Sequence, residues 1–210
     1  RHQERTIQYP LLNDEATVAW FAQRASLEFH VPQWRFAKGG RALPPDRLVL
    51  DLDPGEGRGL QDCARVASLA RERLDDVGLV AVPVTSGSKG VHVYAALDGS
   101  RSSDEATEVA HAIAEELEST NPELVVASMD KDRRRGKVFI DWSQNRATKT
   151  TITPYSLRGR VRPWVAAPRT WAELEADDFS QLTHHDVLER IEDGNDLLAP
   201  LLGDSSHQTE

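Results

Sequence analysis

The run Leu48-Val49-Leu50-Asp51-Leu52-Asp53-Pro54-Gly55 sets two carboxylates one residue apart inside an apolar segment. Side chains alternate along a strand, so Asp51 and Asp53 share one face while Leu48, Leu50 and Leu52 point into a core. Two carboxylates on one face of a buried strand repel each other, and a divalent cation is the usual way to offset that. Mg²⁺ and Mn²⁺ favour carboxylate oxygens together with substrate phosphates. A third carboxylate, Asp141, closes a second apolar run, Lys137-Val138-Phe139-Ile140-Asp141-Trp142. Three aspartates converging on one sheet face can hold two such ions for phosphoryl transfer, one activating an attacking hydroxyl and one stabilising a departing pyrophosphate. The plainer reading of the Asp-x-Asp pair is a turn cap or a solvated strand end.

A second cluster lies in Thr85-Ser86-Gly87-Ser88-Lys89-Gly90-Val91-His92. Its small residues let backbone N–H groups approach an anion. Ser86 and Ser88 add hydroxyls, and Lys89 adds a point charge suited to phosphate. His92 follows Gly90 on the same strand face and can join that site. The Walker A spacing is absent. Turn chemistry alone accounts for the glycines, but not for Lys89 and His92. His30, just before Pro32, reads equally as structural or as a sugar contact.

The net charge of −9 looks unsuited to a polyanionic partner, but the charge is unevenly distributed. Between Lys131 and Arg160 nine basic residues meet two acidic ones, a local +7 that leaves −16 for the remainder. Local fields steer a polyanion to its site. Arg134, Lys149, Arg158 and Arg160 are candidates for phosphate contacts, with Arg158-Gly159-Arg160 as a clamp, while Gln144 and Asn145 are candidates for sugar or base contacts. Trp142 and Tyr155 either stack on bases or belong to the core. The basic run Arg133–Arg135 by itself also fits a solvated surface.

The elements that position these groups follow from periodicity. Strands are expected over Thr6–Pro10, Leu27–Val31, Arg47–Asp53, Leu79–Thr85, Gly90–Leu97, Lys137–Trp142 and Thr150–Thr153. Helices are expected over Asp14–Ser26, capped by Asn13, over Leu60–Val77, and from Ser102 to about Glu118 with Glu105 completing a capping box. Thr170 with Glu173, and Thr183 with Asp186, open two short helices near the end. The acidic stretch from Trp171 onward reads as solvated helices without chemical signal, and residues 203–210 as a disordered tail. Strands and helices mix without strict alternation, which favours an α+β fold with a mixed sheet. One cysteine, Cys63, excludes a disulfide framework, and no apolar run approaches the roughly 18 residues that span a bilayer. A cytoplasmic, nucleoid-associated setting and no membrane partner are expected.

Three of these segments, 50–57, 85–92 and 137–145, resemble the three motifs of the polymerase domains of bacterial DNA ligase D, members of the archaeo-eukaryotic primase superfamily. The stretches Glu28–Phe36 and Lys149–Arg160 are similar to that family as well. The resemblance covers most of residues 16–200, in order. It implies a primase-polymerase fold whose RRM-like sheet carries the active site, with residues 1–202 as the catalytic core. It implies nucleotide addition to DNA 3′ ends, preferentially of ribonucleotides, during non-homologous end joining, with two Mn²⁺ or Mg²⁺ ions. DNA break ends and nucleoside triphosphates are the implied partners, with Ku and ligase domains as further candidates. The metal ligands would be Asp51, Asp53 and Asp141. Ser86, Lys89 and His92 would contact the triphosphate, His30 the ribose 2′-hydroxyl, and Arg134, Gln144, Arg158 and Arg160 the nucleotide or its phosphates.

Family members carry roughly eighty further residues ahead of the point where this chain begins, on the usual domain scale. That segment helps to hold a downstream 5′-phosphate, so end recognition by this chain is an open question. Two other readings compete. A haloacid-dehalogenase-like phosphatase also uses a strand-end Asp-x-Asp, but calls for Thr or Val two residues on, where this chain has Gly55. A non-catalytic DNA-end-binding module would bind DNA indifferently to Mn²⁺.

Overall fold

The computed structural model describes residues 10–194 and 196–202. In chain order these form α1 (Glu15–Gln23), β1 (His30–Val31), β2 (Trp34–Phe36), β3 (Ala42–Pro45), β4 (Arg47–Pro54), α2 (Leu60–Asp76), β5 (Ala81–Thr85), β6 (Val91–Ala96), α3 (Ser103–Thr120) and β7 (Val125–Val126). There follow β8 (Val138–Asp141), β9 (Thr151–Ile152), β10 (Trp164–Val165), α4 (Trp171–Leu174), β11 (Leu182–Thr183), α5 (His184–Glu192) and α6 (Ala199–Leu202). Short 3₁₀ turns, Lys131–Arg134 and Trp142–Asn145, flank β8.

Five strands make the main sheet, in the order β5-β6-β4-β8-β7. All neighbours run antiparallel except β7 and β8. The mixed α+β architecture expected from the sequence is therefore present. Alternation along β4 works as read: Leu48, Leu50 and Leu52 are fully buried against α2 and α3, sharing a core with Val66, Ala70, Ala110, Ile113 and Ile140. Each such leucine contributes about 1.5–3 kcal/mol. A slip of one residue would drive Asp51 and Asp53 into that core, so the register of the central strand is strongly fixed. Val49, Val84, Tyr94, Ile152 and Ala166 form a smaller cluster on the opposite face, leaving one end of it to polar groups.

Three capping boxes form as expected, at Ser102/Glu105, Thr170/Glu173 and Thr183/Asp186. Several expectations need correction. Asp14, not Asn13, caps α1, accepting the Thr17 N–H at 2.7 Å, because the helix starts one residue later than its periodicity implied. None of its residues is buried, so the apolar face of Val18, Phe21 and Ala22 does not reach the core; Ala25 lies past its end with φ 58°. The strand expected from Leu27 shrinks to His30–Val31, because only those residues find a partner, in β9. The hairpin β2–β3 and the two-residue strands β7, β10 and β11 went unforeseen. Most of Thr6–Pro10, and the expected tail, lie outside the described residues.

The C-terminal stretch is more than solvated helix. Leu174, Phe179 and Val187 are buried, and Arg169, 6% exposed, pairs with Glu173, which also holds Arg190. Among the described residues, no helix is long and apolar enough to cross a membrane.

Candidate active site

The polar end of the sheet is built by register. Asp51 on β4 stands opposite His92 on β6 and opposite Asp141 on β8, so three adjacent strands present one row. Asp53 lies two residues further along the same face, opposite Phe139. His92 is 4% exposed and sets Nε2 3.2 Å from a carboxylate oxygen of Asp51. Tyr94 stands on the far side of the ring, its hydroxyl donating to the Ile152 carbonyl at 3.0 Å.

Asp141 caps the Trp142–Asn145 turn. One oxygen accepts from the Ser143 N–H at 3.1 Å and the Ser143 hydroxyl at 2.6 Å, and the other accepts from the Gln144 amide at 2.8 Å. Asp53 is reachable by solvent yet enclosed by protein on its other sides. Desolvation, then the charge of Asp51, pushes its carboxyl up to about 6, with Asp141 adding to the rise and His92 and Arg134 opposing it. A like-charge cluster of oxygen donors in this state suits a hard divalent cation in donor chemistry and in sign. As the side chains lie, however, no three His, Cys, Asp or Glu residues among those described stand close enough to form a metal group. Ser143, Gln144 and His92 hold the carboxylates instead.

Arg134 belongs to this row. Its guanidinium lies 3.5 Å from the centre of the Phe139 ring and donates to the Met129 carbonyl at 2.9 Å. Gly55 permits the approach: a Cβ there would stand 1.9 Å from the Arg134 carbonyl oxygen. Arg133 and Arg135 turn away, to Glu118 at 2.6 Å and Glu56 at 3.4 Å.

The Ser86–Gly90 turn sits beside the row. The Ser86 hydroxyl oxygen is partly spent on the turn itself, accepting from the Ser88 N–H at 3.2 Å and the Gly90 N–H at 3.1 Å. Lys89 is exposed and, with Ser88, lines a cleft of about 480 Å³ whose other walls are Pro54–Leu60 and Gln181. Gly87 has φ 65°, and a Cβ there would meet Arg158 Cγ at 2.5 Å, so the stem of Arg158 lies on the turn. The structure places His92 against Asp51.

His30 lies on β1 opposite Ile152, with its side chain 42% exposed. Lys149 and Arg160 are exposed and outside the row. Trp142 packs against the core and donates to the Ala127 carbonyl at 3.0 Å, while the Tyr155 hydroxyl donates to Asp196 at 2.7 Å; both side chains have structural partners.

Three positioning groups were missed. Asn145, named only as a sugar or base contact, is buried and bonds the backbone of β4. Gln181 accepts the Gly87 N–H at 2.9 Å and so braces the turn from the stretch read as featureless. Glu28 accepts the Gly159 N–H at 2.7 Å.

The family model for "LigD, primase-polymerase domain" matches residues 1–198. The chain belongs to that family. Among curated relatives, the "Multifunctional non-homologous end joining DNA repair protein LigD" of Mycobacterium tuberculosis is 52% identical over 209 residues, covering 97% of this chain and 28% of that protein. The Mycolicibacterium smegmatis relative is 49% identical over 204 residues, and that of Bacillus subtilis 33% over 180. The chain therefore spans less than a third of the length of these relatives. A solved structure, the polymerase domain from Mycobacterium tuberculosis ligase D in complex with DNA, superimposes with a TM-score of 0.92 at 51% identity, covering 97% of this chain and 73% of that one. The fold is thus that of a LigD polymerase domain, and the chain is an enzyme domain of polymerase/primase type.

Proposed function

We propose that this domain transfers nucleotides, ribonucleotides by preference, from triphosphates to the 3′ ends of DNA during repair of double-strand breaks by non-homologous end joining. The observation that carries this reading is the register of Asp51 with Asp141, with Asp53 on the same face, in a domain half identical in sequence to a polymerase domain solved with DNA.

Asp51, Asp53 and Asp141 would hold Mn²⁺ or Mg²⁺, which when bound supplies charge neutralisation at the attacking hydroxyl and at the triphosphate. The remaining work falls to the chain. His92 stands against Asp51 and would orient it. Gln144 and Ser143 hold Asp141 at the end of β8 until a competing ligand arrives. Lys89 offers its ammonium to the triphosphate from the cleft wall, and Arg158 offers a fork across the turn. Arg134, held on Phe139, would offer its guanidinium to a phosphate. Lys149 and Arg160 lie outside this row and fit contacts with the nucleic-acid backbone. His30 would contact the ribose 2′-hydroxyl, a group that separates ribo- from deoxynucleotides. Ku and ligase domains are proposed partners of the longer protein.

One observation favours a second reading, a non-catalytic module that binds DNA ends: Asp51 and Asp141 are engaged by protein partners, and the three carboxylates are not grouped around a common point. A primer-extension assay with Mn²⁺, comparing ribo- with deoxynucleotides, separates the two. Extension that is faster with ribonucleotides and lost in Asp51→Ala supports transfer. DNA binding with no extension, indifferent to Mn²⁺ and to Asp51→Ala, supports the module.

A further inference from the structure

Glu28 lies outside the carboxylate row, yet one carboxylate there gathers three groups. One oxygen accepts the Gly159 N–H at 2.7 Å. The other lies 3.2 Å from His30 Nε2 and 3.6 Å from Arg158 Nη1. Arg158 and Gly159 come from a distant part of the chain, while His30 is two residues on, and the backbone around them is already tied. The Phe29 N–H donates to the Ser156 hydroxyl at 3.0 Å, and the Thr153 N–H donates to the Phe29 carbonyl at 2.9 Å. The stem of Arg158 rests on Gly87. What the backbone ties leave undetermined is where the guanidinium and the imidazole point. Arg158 has four side-chain torsions, and Glu28 is the carboxylate that stands against the end of its fork, as an ion pair at 3.6 Å. The Gly159 N–H, aided by His30 and Arg158 and opposed by partial burial, keeps the Glu28 carboxyl below the usual carboxylate range, so the orienting charge is present at neutral pH.

We infer that Glu28 is a positioning residue for the nucleotide: its carboxylate aims Arg158 at the triphosphate and His30 at the sugar, coupling phosphate grip to sugar choice. This rests on the nucleotide-transfer reading above. A purely structural role for Glu28 would be met by any side chain that accepts the Gly159 N–H. Glu28→Gln keeps an oxygen for the Gly159 N–H and the side-chain length, and puts a neutral amide NH₂ where the charged oxygen faces His30 and Arg158.

The test is steady-state primer extension with Mn²⁺, measuring kcat and KM for ribo- and deoxynucleotides in the full chain. For Glu28→Gln the nucleotide KM should rise about tenfold with kcat nearly unchanged, the pattern of lost ground-state binding. The preference for ribonucleotides should shrink in the same variant, and Glu28→Asp should restore part of both. In an Arg158→Ala background, Glu28→Gln should add little to the KM, because the group it aims is gone. A thermal melt close to that of the unaltered chain shows that Glu28→Gln folds. If it does not fold, Glu28→Asp carries the test: a raised KM and a reduced ribonucleotide preference support the inference, and unchanged values overturn it. A folded Glu28→Gln with unchanged KM and unchanged sugar preference overturns it too, while wild-type extension still stands. A fall in KM also overturns it, since the carboxylate would then be competing with the triphosphate for Arg158. Failure of the unaltered chain to extend any primer would sink the nucleotide-transfer reading and this inference together.

Discussion

The side chain of Asn145 takes the place of a strand partner for Val49. Its carbonyl oxygen accepts the Val49 N–H at 2.8 Å, and its amide donates to the Val49 carbonyl at 2.8 Å and to the Trp142 carbonyl at 2.8 Å. Strand β8 ends at Asp141, opposite Asp51, so the β4 ladder would otherwise stop two residues short of buried backbone. A carboxamide has the donor and acceptor of a peptide group, and here it continues the ladder. Asn145→Ala would leave both Val49 groups unpaired in a buried setting. A loss of about 2–5 kcal/mol is expected, read by urea unfolding. An unchanged midpoint would show that water fills the gap.

Gly90 carries the close approach of the Ser86–Gly90 turn to β4. A Cβ there would stand 2.1 Å from the Leu52 carbonyl oxygen, and that obstacle is backbone. Gly90→Ala should therefore cost about 1–3 kcal/mol by displacing the turn. It should also weaken nucleotide binding, because Lys89 moves with the turn. Calorimetric melting and a nucleotide titration check the two effects separately.

Asp53 is held against its neighbours. Burial and the Asp51 charge raise its carboxyl in the folded chain to about 6. A carboxyl raised on folding destabilises the folded state once pH exceeds its unfolded value near 3.8, and that cost grows until pH passes about 6. Asp53→Asn removes the like charge. At pH 7 without divalent cations its melting temperature should be higher than that of the unaltered chain, while primer extension is lost. A lower melting temperature would mean that the carboxylate is paired rather than strained.

Glu173 is the opposite case. Burial would raise its carboxyl, but Arg190, the Thr170 N–H and Arg169 outweigh that and bring it down from 4.5 to about 2. A depressed carboxyl contributes stability that is complete above its unfolded value and is lost as pH falls from there toward 2. Glu173→Gln should cost about 2–4 kcal/mol at pH 7, since Arg169 would remain buried with its partner neutralised. The difference between the two chains should narrow on acidification through that window, as measured by unfolding at stepped pH.

Much of this arrangement was legible in the sequence. The alternation of leucine and aspartate in residues 48–53 fixed which face carries charge, and the capping boxes marked three helix starts, because both signals are local. The pairing of Asp51 with Asp141 was visible only as two motifs, since sheet register is a long-range property. The positioning bonds of Asn145, Gln181 and Glu28 gave no signal. Their partners lie 96, 94 and 131 residues away, and a side chain bonding distant backbone leaves no period in the sequence. The helix α1 misled for the converse reason: periodicity reports an apolar face but not what, if anything, covers it.

The central claim is that Asp51, Asp53 and Asp141 share bound divalent cations. It is tested most directly by titrating Mn²⁺, followed by electron paramagnetic resonance, into the chain with a nucleoside triphosphate present, and into Asp51→Ala and Asp141→Ala. The unaltered chain should bind Mn²⁺ beyond what the nucleotide alone takes up, and both variants, still folded by circular dichroism, should lose that excess. Equal Mn²⁺ uptake by all three chains would contradict a shared site at these carboxylates.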